Sequence, residues 1–275
     1  MSRKRLVIIG SGMATARLLD ELVRRDALAL YDISVFGEEP HGCYNRILLN
    51  RVLAGGEPGE ILLKPPEWFA ERGVRFHKSI AVTSLDTAYR HLFTDDYEKH
   101  FYDVAVFATG SAPIMPDVGG LKLHDDKLKE GAFLFRTIRD CERIRNHTRP
   151  AGNAIVVGGG LLGLEAAKGL RDLGQHVTVV HRSETLMNSQ LDPFGGRMLR
   201  RAIEELGIFV RTGCEVKGVL GERRVEGVEL IDGARLACDL VVFACGIRPR
   251  IDVAQLSGIP TKTGILVNDS LATRV

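Results

Sequence analysis

The sequence predicts an α/β chain of two doubly wound units, each a parallel sheet covered by helices on both faces to give three layers. Two observations carry that expectation. An apolar strand, a glycine-rich turn and a helix-patterned stretch follow one another at residues 6–23, and the same order returns at residues 154–180 with little identity between the copies. Strands alternating with helices in this way build parallel sheets. The length of 275 residues fits two such units of roughly 100–150 residues each.

Leu6 to Ile9 is a continuous apolar run and the first strand, and Leu18, Leu19, Leu22 and Val23 then recur at helical spacing. Ile33 to Phe36 is the second strand. Two more are expected over Val74 to Ala81 and Val104 to Ala108, the latter running into Thr109, Gly110 and Pro113. A loop with Pro116, Gly119 and Gly120 leads into the charged stretch His124 to Glu130, read as a connector. The second copy has a strand at Ala154 to Val157, a helix at Leu161 to Leu173 and a strand at Val177 to Val180. Asp192 and Pro193 supply the N-cap and first turn of a structural helix that reaches Leu206 and stops at Gly207. Val225, Val228 and Leu230 pattern a hairpin strand, and Leu240 to Ala244 a buried one ending in Cys245-Gly246.

With 45% hydrophobic and 26% charged residues, the composition is that of a folded globular chain. The formal charge is +2 and the two signs are interspersed, which gives no case for nucleic acid and favours a small soluble partner. Cys43, Cys141, Cys214, Cys238 and Cys245 show no CxxC or CxxxxC spacing, so neither a disulfide redox centre nor a metal site is expected. The basic start leads into an apolar run too short for a signal-peptide core, and no run is long enough to span a bilayer. A cytoplasmic location without a membrane partner is the expectation.

The second turn reads Gly158-Gly159-Gly160-Leu161-Leu162-Gly163, a complete GxGxxG between a buried strand and a helix. In such a turn Gly158 permits the reversal, Gly160 lets backbone approach a pyrophosphate, and Gly163 lets the helix pack closely on the strand. The phosphates sit on the helix N-terminus, where free N–H groups and the helix dipole favour anions. With strand and helix both in place, the pattern points to dinucleotide binding. Where a carboxylate would hold the adenosine ribose, this chain has His181 and Arg182. Cationic side chains there suit a 2′-phosphate, favouring NADPH or removing discrimination against it; the alternative is a solvated loop pair.

The first turn, Gly10-Ser11-Gly12-Met13-Ala14-Thr15, carries threonine in place of the third glycine. The strand after it does end in an acid: Glu38 closes the run from Ile33 in the ribose-holding position, with Glu39 beside it as the other choice. For either, the alternative is a surface carboxylate.

These residues resemble the two-dinucleotide flavoprotein reductases of the pyridine nucleotide-disulfide oxidoreductase superfamily. In particular they resemble the N-terminal FAD/NAD(P)-binding part of the large subunit of assimilatory NAD(P)H nitrite reductases. The likeness runs over essentially the whole chain. It rests on Tyr44-Asn45-Arg46-Ile47-Leu48-Leu49, Ala108-Thr109-Gly110, GGGLLGLEAA from Gly158 to Ala167, Leu186-Met187 with Gln190-Leu191-Asp192, and Gly246-Ile247-Arg248-Pro249-Arg250.

The resemblance implies two Rossmann-like domains, an FAD-binding one at 1–120 and an inserted NAD(P)-binding one at 121–246, with 247–275 returning to the first. That return segment is expected to be incomplete, because the family continues into a Tyr-Ala-x-Gly-Asp segment whose aspartate holds the flavin's ribityl chain. Beyond it the family has an interface domain and cysteine clusters for iron-sulfur and sirohaem centres. Carried onto this chain, the resemblance puts Gly10, Ser11, Gly12, Met13 and Ala14 at the FAD pyrophosphate, Glu38 at its ribose and Arg46 beside the pyrophosphate or flavin. Ala81, Ala108, Thr109 and Gly110 complete that site. Gly158 to Gly163, His181, Arg182 and Gly246 hold NAD(P), and Glu165, on the first turn of its helix, lies near the nicotinamide, though helix N-termini attract carboxylates anyway.

Relatives with a flavin-facing cysteine carry it just before a Leu-Pro-Tyr stretch. Here Cys43 directly precedes Tyr44, too close to correspond, and reads as a small partly buried residue. The implied activity is therefore an FAD-dependent NAD(P)H oxidoreductase, a diaphorase module that takes hydride from NAD(P)H and passes electrons to an external iron-sulfur or other redox acceptor. Nitrite itself is not expected to be reduced by these residues. Two other readings stand beside it, a ferredoxin or rubredoxin reductase and a nucleotide-binding fragment without turnover.

Overall fold

The computed structural model describes residues 3–275. They divide into two compact units, one of residues 3–46, Gly59–Ala112 and Arg248–Val275, the other of Ile47–Pro58 and Pro113–Ile247.

In the first unit β1 (Lys4–Ile9) leads into α1 (Met13–Arg24) and β2 (Tyr31–Gly37). Further along come β3 (Arg75–Lys78), β4 (Val82–Asp86), β5 (His91–Thr94), β6 (Lys99–Phe101) and β7 (Val104–Phe107). The parallel sheet runs β3-β2-β1-β7, with Leu6 opposite Ile33 and Ile8 opposite Val35. Since side chains alternate across a strand, Leu6, Ile8, Ile33 and Val35 all reach one face, where Leu19 of α1 and Phe69 cover them. Val7, Ile9 and Phe36 reach the other face and pack on Leu85 and Leu92 of the antiparallel sheet β4-β5-β6. Each of these large side chains contributes about 1.5–3 kcal/mol when fully buried.

The second face is thus closed by a small antiparallel sheet and not by helices, which corrects the expectation of helices on both sides. The run Val74 to Ala81 is likewise not one strand. Ser79 takes a left-handed conformation at φ 58°, ending β3, and the chain re-enters as antiparallel β4. Three polar residues in a row, His77 to Ser79, interrupt the apolar alternation at that reversal, and Ile80 to Val82 resumes as a continuous apolar run, so the stretch reads as one strand only if the interruption is passed over.

The second unit repeats the plan. Its elements are α2 (Leu49–Leu53), β8 (Ala132–Leu134), α3 (Ile138–His147), β9 (Asn153–Val157), α4 (Leu161–Asp172), β10 (His176–Val180), α5 (Pro193–Glu205) and β11 (Phe209–Arg211). The chain closes this unit with β12 (Val216–Leu220), β13 (Gly227–Leu230), β14 (Arg235–Ala237) and β15 (Leu240–Phe243). The parallel sheet runs β8-β15-β9-β10-β11. Ile155, Val180, Val241 and Phe243 on one face pack against Val216, Val219, Val228 and Leu230 of the antiparallel sheet β12-β13-β14.

α5 has the expected ends: the Asp192 carboxylate accepts the Gly195 N–H at 2.7 Å, and Gly207 takes φ +77° just past the last turn. α3 begins with a capping box of Thr137 and Asp140 that the apolar pattern did not mark. α2 belongs here because Gly169 lets it cross α4 closely; a Cβ at Gly169 would stand 3.0 Å from Leu53 and 3.1 Å from the Asn50 carbonyl. The charged stretch His124 to Glu130 does more than connect. Lys129 is buried, and its ammonium donates to the carbonyls of Val219, at 3.2 Å, and Gly221. No helix among the described residues is long and apolar enough to cross a membrane.

Candidate functional site

Each glycine turn lies at the C-terminal end of the central strand of its sheet, where the chain leaves for helices or strands on either side. β1 stands between β2 and β7, and β9 between β10 and β15. In doubly wound sheets, ligands bind at this switch point.

The two turns are built alike. Gly10 N–H donates to the Phe36 carbonyl at 2.8 Å, and Gly158 N–H to that of Val180 at 2.9 Å. Both glycines have positive φ, +108° and +124°. A Cβ on Gly10 would meet the Ala108 carbonyl oxygen at 2.3 Å, and one on Gly158 that of Ala244 at 2.4 Å. Ala108-Thr109-Gly110 and Ala244-Cys245-Gly246 therefore occupy equivalent places, each closing a strand beside its turn. At the second glycine the opposite holds: beside Gly12 and Gly160 a Cβ would meet nothing within 4 Å. The helices that follow have no side-chain cap at those glycines, so their first N–H groups are not satisfied by a capping side chain.

The third position explains the degenerate fingerprint. A Cβ on Gly163 would stand 1.9 Å from the Gly158 carbonyl oxygen, because α4 is drawn tightly against the strand end. In the first turn Thr15 holds that place, fully buried, and its hydroxyl donates to the Gly10 carbonyl at 2.6 Å. The same carbonyl is thus approached by a hydroxyl that bonds it. Ser11 closes on Gly37, where a Cβ would meet its Oγ at 2.3 Å.

Around the first turn, Glu38 and Glu39 part company. Glu39 accepts from Tyr44 Oη at 2.8 Å and from Arg46 at 2.7 Å, and the Arg46 guanidinium lies over the Tyr44 ring at 4.6 Å. Glu38, half exposed just past β2, pairs with Arg250 at 2.6 Å. Arg250 also ties down the strand end: its N–H donates to the Gly110 carbonyl at 3.0 Å, and its carbonyl accepts from Thr109 Oγ1 at 2.8 Å. The motif from Gly246 to Arg250 gives no sign of these contacts, which only the fold creates. Ala81 exchanges hydrogen bonds with Asp95, its N–H reaching the carboxylate and its carbonyl accepting the Asp95 N–H, both at 2.9 Å. Ile80 N–H reaches the Gly37 carbonyl at 3.0 Å, which brings this corner to the end of β2 beside Glu38.

The second turn opens on a cleft of about 770 Å³ lined by the stretch Gly158 to Leu162 together with His181, Arg182 and Gly246. Gly163 and Glu165 are not among its lining residues. Glu165 is the fifth residue of α4 and so stands in its second turn, not in the first as expected; burial raises its pKa above the usual carboxylate range. His181 does not present a cation. Its Nδ1 accepts the Gly159 N–H at 3.1 Å, Nε2 lies 3.2 Å from Asn188 Oδ1, and burial holds its pKa below the ordinary value. Arg182 is left as the cation of the pair on the cleft wall.

Burial raises the thiol pKa of Cys245, which lines this cleft, and pushes that of Cys43, wholly inside the first unit, up to about 12. Neither is poised as a thiolate.

The family described as pyridine nucleotide-disulphide oxidoreductase matches residues 4–275. A nitrite reductase [NAD(P)H] of Bacillus subtilis is 38% identical over all of this chain and 33% of its own length. The assimilatory nitrate reductase electron transfer subunit of the same organism is 36% identical over 99% of this chain and 35% of its own. The chain thus spans about a third of these curated relatives. The crystal structure of a ferredoxin reductase from Rhodopseudomonas palustris superposes with a TM-score of 0.86 at 28% identity, covering 98% of this chain and 66% of that one. By sequence and by fold, this chain belongs to the pyridine nucleotide-disulphide oxidoreductases, a family of NAD(P)H-dependent oxidoreductases that carry FAD.

Proposed function

We propose that this chain is the FAD- and NAD(P)H-binding electron-entry module of a reductase, passing electrons to an external iron-sulfur or other redox centre. The observation that carries this reading is the pair of matching turns, each with a strand end closed against its first glycine and open space beside its second. FAD would lie on the first unit, its pyrophosphate over Gly10 to Ala14, its ribose at Glu38, and Arg46, Ala81 and Ala108 to Gly110 around it. NAD(P)H would lie on the second, over Gly158 to Gly163, with Arg182 at the adenosine end, Gly246 on the far wall and Glu165 toward the nicotinamide.

When bound, the two cofactors supply the redox chemistry, hydride passing from nicotinamide to flavin. The chain's own residues hold the pyrophosphates on uncapped helix N-termini, keep both turns in shape and place a cation for a 2′-phosphate. Both acids are paired, and Glu38 is favoured over Glu39 because it stands just past β2 with its side chain about half exposed beside Arg250, whereas Glu39 is turned inward to Tyr44 and Arg46. Five free cysteines, one of them exposed, suit the reducing cytoplasm. A ferredoxin-type acceptor is favoured by the likeness to the ferredoxin reductase.

The test is the visible spectrum of the purified protein with and without added FAD. A yellow protein that NAD(P)H bleaches, and that then reduces ferricyanide or a small iron-sulfur protein, is the expected result. Stoichiometric FAD that no nicotinamide reduces would overturn the reading.

A further inference from the structure

We propose that neutral His181 is a positioning residue that sets the second glycine turn for dinucleotide binding by accepting the Gly159 N–H, so that affinity falls when its ring takes up a proton. The proposal rests on reading this turn as the NAD(P) site.

Gly159 is held through both of its backbone groups. Its N–H donates to His181 Nδ1 at 3.1 Å, and its carbonyl accepts the Met187 N–H at 2.9 Å. The imidazole is also the floor on which the turn rests: a Cβ on Gly159 would lie 2.7 Å from His181 Cγ and 2.6 Å from Leu186 Cδ2. The middle residue of this turn is therefore glycine for a reason separate from the fingerprint, namely the ring beneath it. His181 has little freedom to follow a moving turn, since its own N–H donates to the Arg211 carbonyl at 2.8 Å and its carbonyl accepts from Cys214 at 3.0 Å.

With Nδ1 accepting, the ring proton sits on Nε2 and points to Asn188 Oδ1, 3.2 Å away. A doubly protonated ring has two donors and no acceptor, so Nδ1–H would face the Gly159 N–H and the contact would become repulsive. Burial and the neighbouring Arg182 oppose that charge, while Asn188 and the Thr185 carbonyl favour it. Glu215 and the thiols of Cys214 and Cys245 also line the cleft, from the segment leading into β12 and from just past β15. Burial is the largest of these effects and holds the ring's pKa below the ordinary value. The competent, neutral state is thus present at neutral pH and is lost as pH falls through that lowered pKa.

The test uses ADP-ribose, which carries the pyrophosphate without the nicotinamide, titrated calorimetrically into the FAD-loaded protein between about pH 7.5 and about pH 5. For the unsubstituted protein the Kd should rise by about twofold or more as the pH falls through the ring's lowered pKa, within the tenfold per pH unit that one proton allows, and a Kd flat across the range overturns the proposal. His181→Asn places Oδ1 where Nδ1 stood and cannot titrate, so it should bind normally at the upper pH and stay flat. His181→Leu should bind weakly throughout; if it does not fold, the comparison with His181→Asn decides alone. The proposal is overturned if His181→Asn keeps the same pH slope, or if it binds as weakly as His181→Leu at every pH. Absence of any ADP-ribose binding by the unsubstituted protein at the upper pH would instead overturn the reading of the cleft, and the inference with it.

Discussion

Replacing Gly163 with alanine isolates the physical content of the second turn. The added Cβ would stand 1.9 Å from the Gly158 carbonyl oxygen. An ordinary carbon–oxygen contact is about 3.3 Å or more, so α4 must withdraw from the strand end by about 1.4 Å. A backbone carbonyl cannot swing aside as a side chain can. Overpacking of this kind costs about 1–3 kcal/mol, and alanine's better helix propensity offsets about 1 kcal/mol of it. The net loss of about 1 kcal/mol should lower Tm by about 2–4 °C. Binding should suffer more, because the displaced turn carries the N–H groups that meet the pyrophosphate, and ADP-ribose affinity should fall about 10- to 100-fold.

Gly160→Ala is the matched control. Its φ of −85° is ordinary for alanine and its Cβ meets nothing within 4 Å, so Tm should change little, yet the methyl would fill the space the pyrophosphate needs. Thermal melts and calorimetric titrations of both variants decide. Unchanged Tm and Kd in Gly163→Ala, or wild-type binding by Gly160→Ala, would refute the reasoning.

Thr15→Val should cost about 1 kcal/mol in urea unfolding, because the part-buried Gly10 carbonyl loses its 2.6 Å hydroxyl donor, while Thr15→Ser should retain most of the stability. Equal behaviour of the two variants would remove the hydroxyl from the account. Arg182→Ala should raise the Kd for NADPH about tenfold and leave NADH within about twofold, since only NADPH carries the 2′-phosphate. A parallel loss for both nucleotides would place Arg182 elsewhere. Cys43→Ala should keep NAD(P)H-dependent ferricyanide reduction within about twofold, at a stability cost of about 1–2 kcal/mol for the small cavity, as its thiol pKa near 12 leaves no thiolate. Loss of turnover with FAD retained would show that the thiol takes part.

The parallel strands were legible because each is a short apolar run next to a glycine turn, and that signal is local. Leu6 to Ile9 and Ala154 to Val157 became the central strands of their sheets, and Asp192 and Gly207 bounded α5 as their chemistry requires. The antiparallel layers were less visible. Val225, Val228 and Leu230 were read as one hairpin strand, and nothing local says that this face closes a parallel sheet. The break at Ser79 is marked only by three polar residues in a row, His77 to Ser79, with no Gly, Pro, Asn or Asp there to signal a turn.

At the sites, the sequence by itself determined where backbone must come close to backbone, since only glycine tolerates the positive φ and close approach seen at Gly10 and Gly158. The tertiary structure decided what the side chains around those turns do. Thr15 looked like a defect in a fingerprint and is a hydrogen-bonded substitute for it; Glu39 turned to Tyr44 and Arg46, Arg250 came to Glu38, and His181 exchanged a prospective charge for a backbone hydrogen bond. Glycine's role follows from the geometry of a single residue. A carboxylate or an imidazole takes its role from partners far away in the chain, and only folding brings those partners within reach.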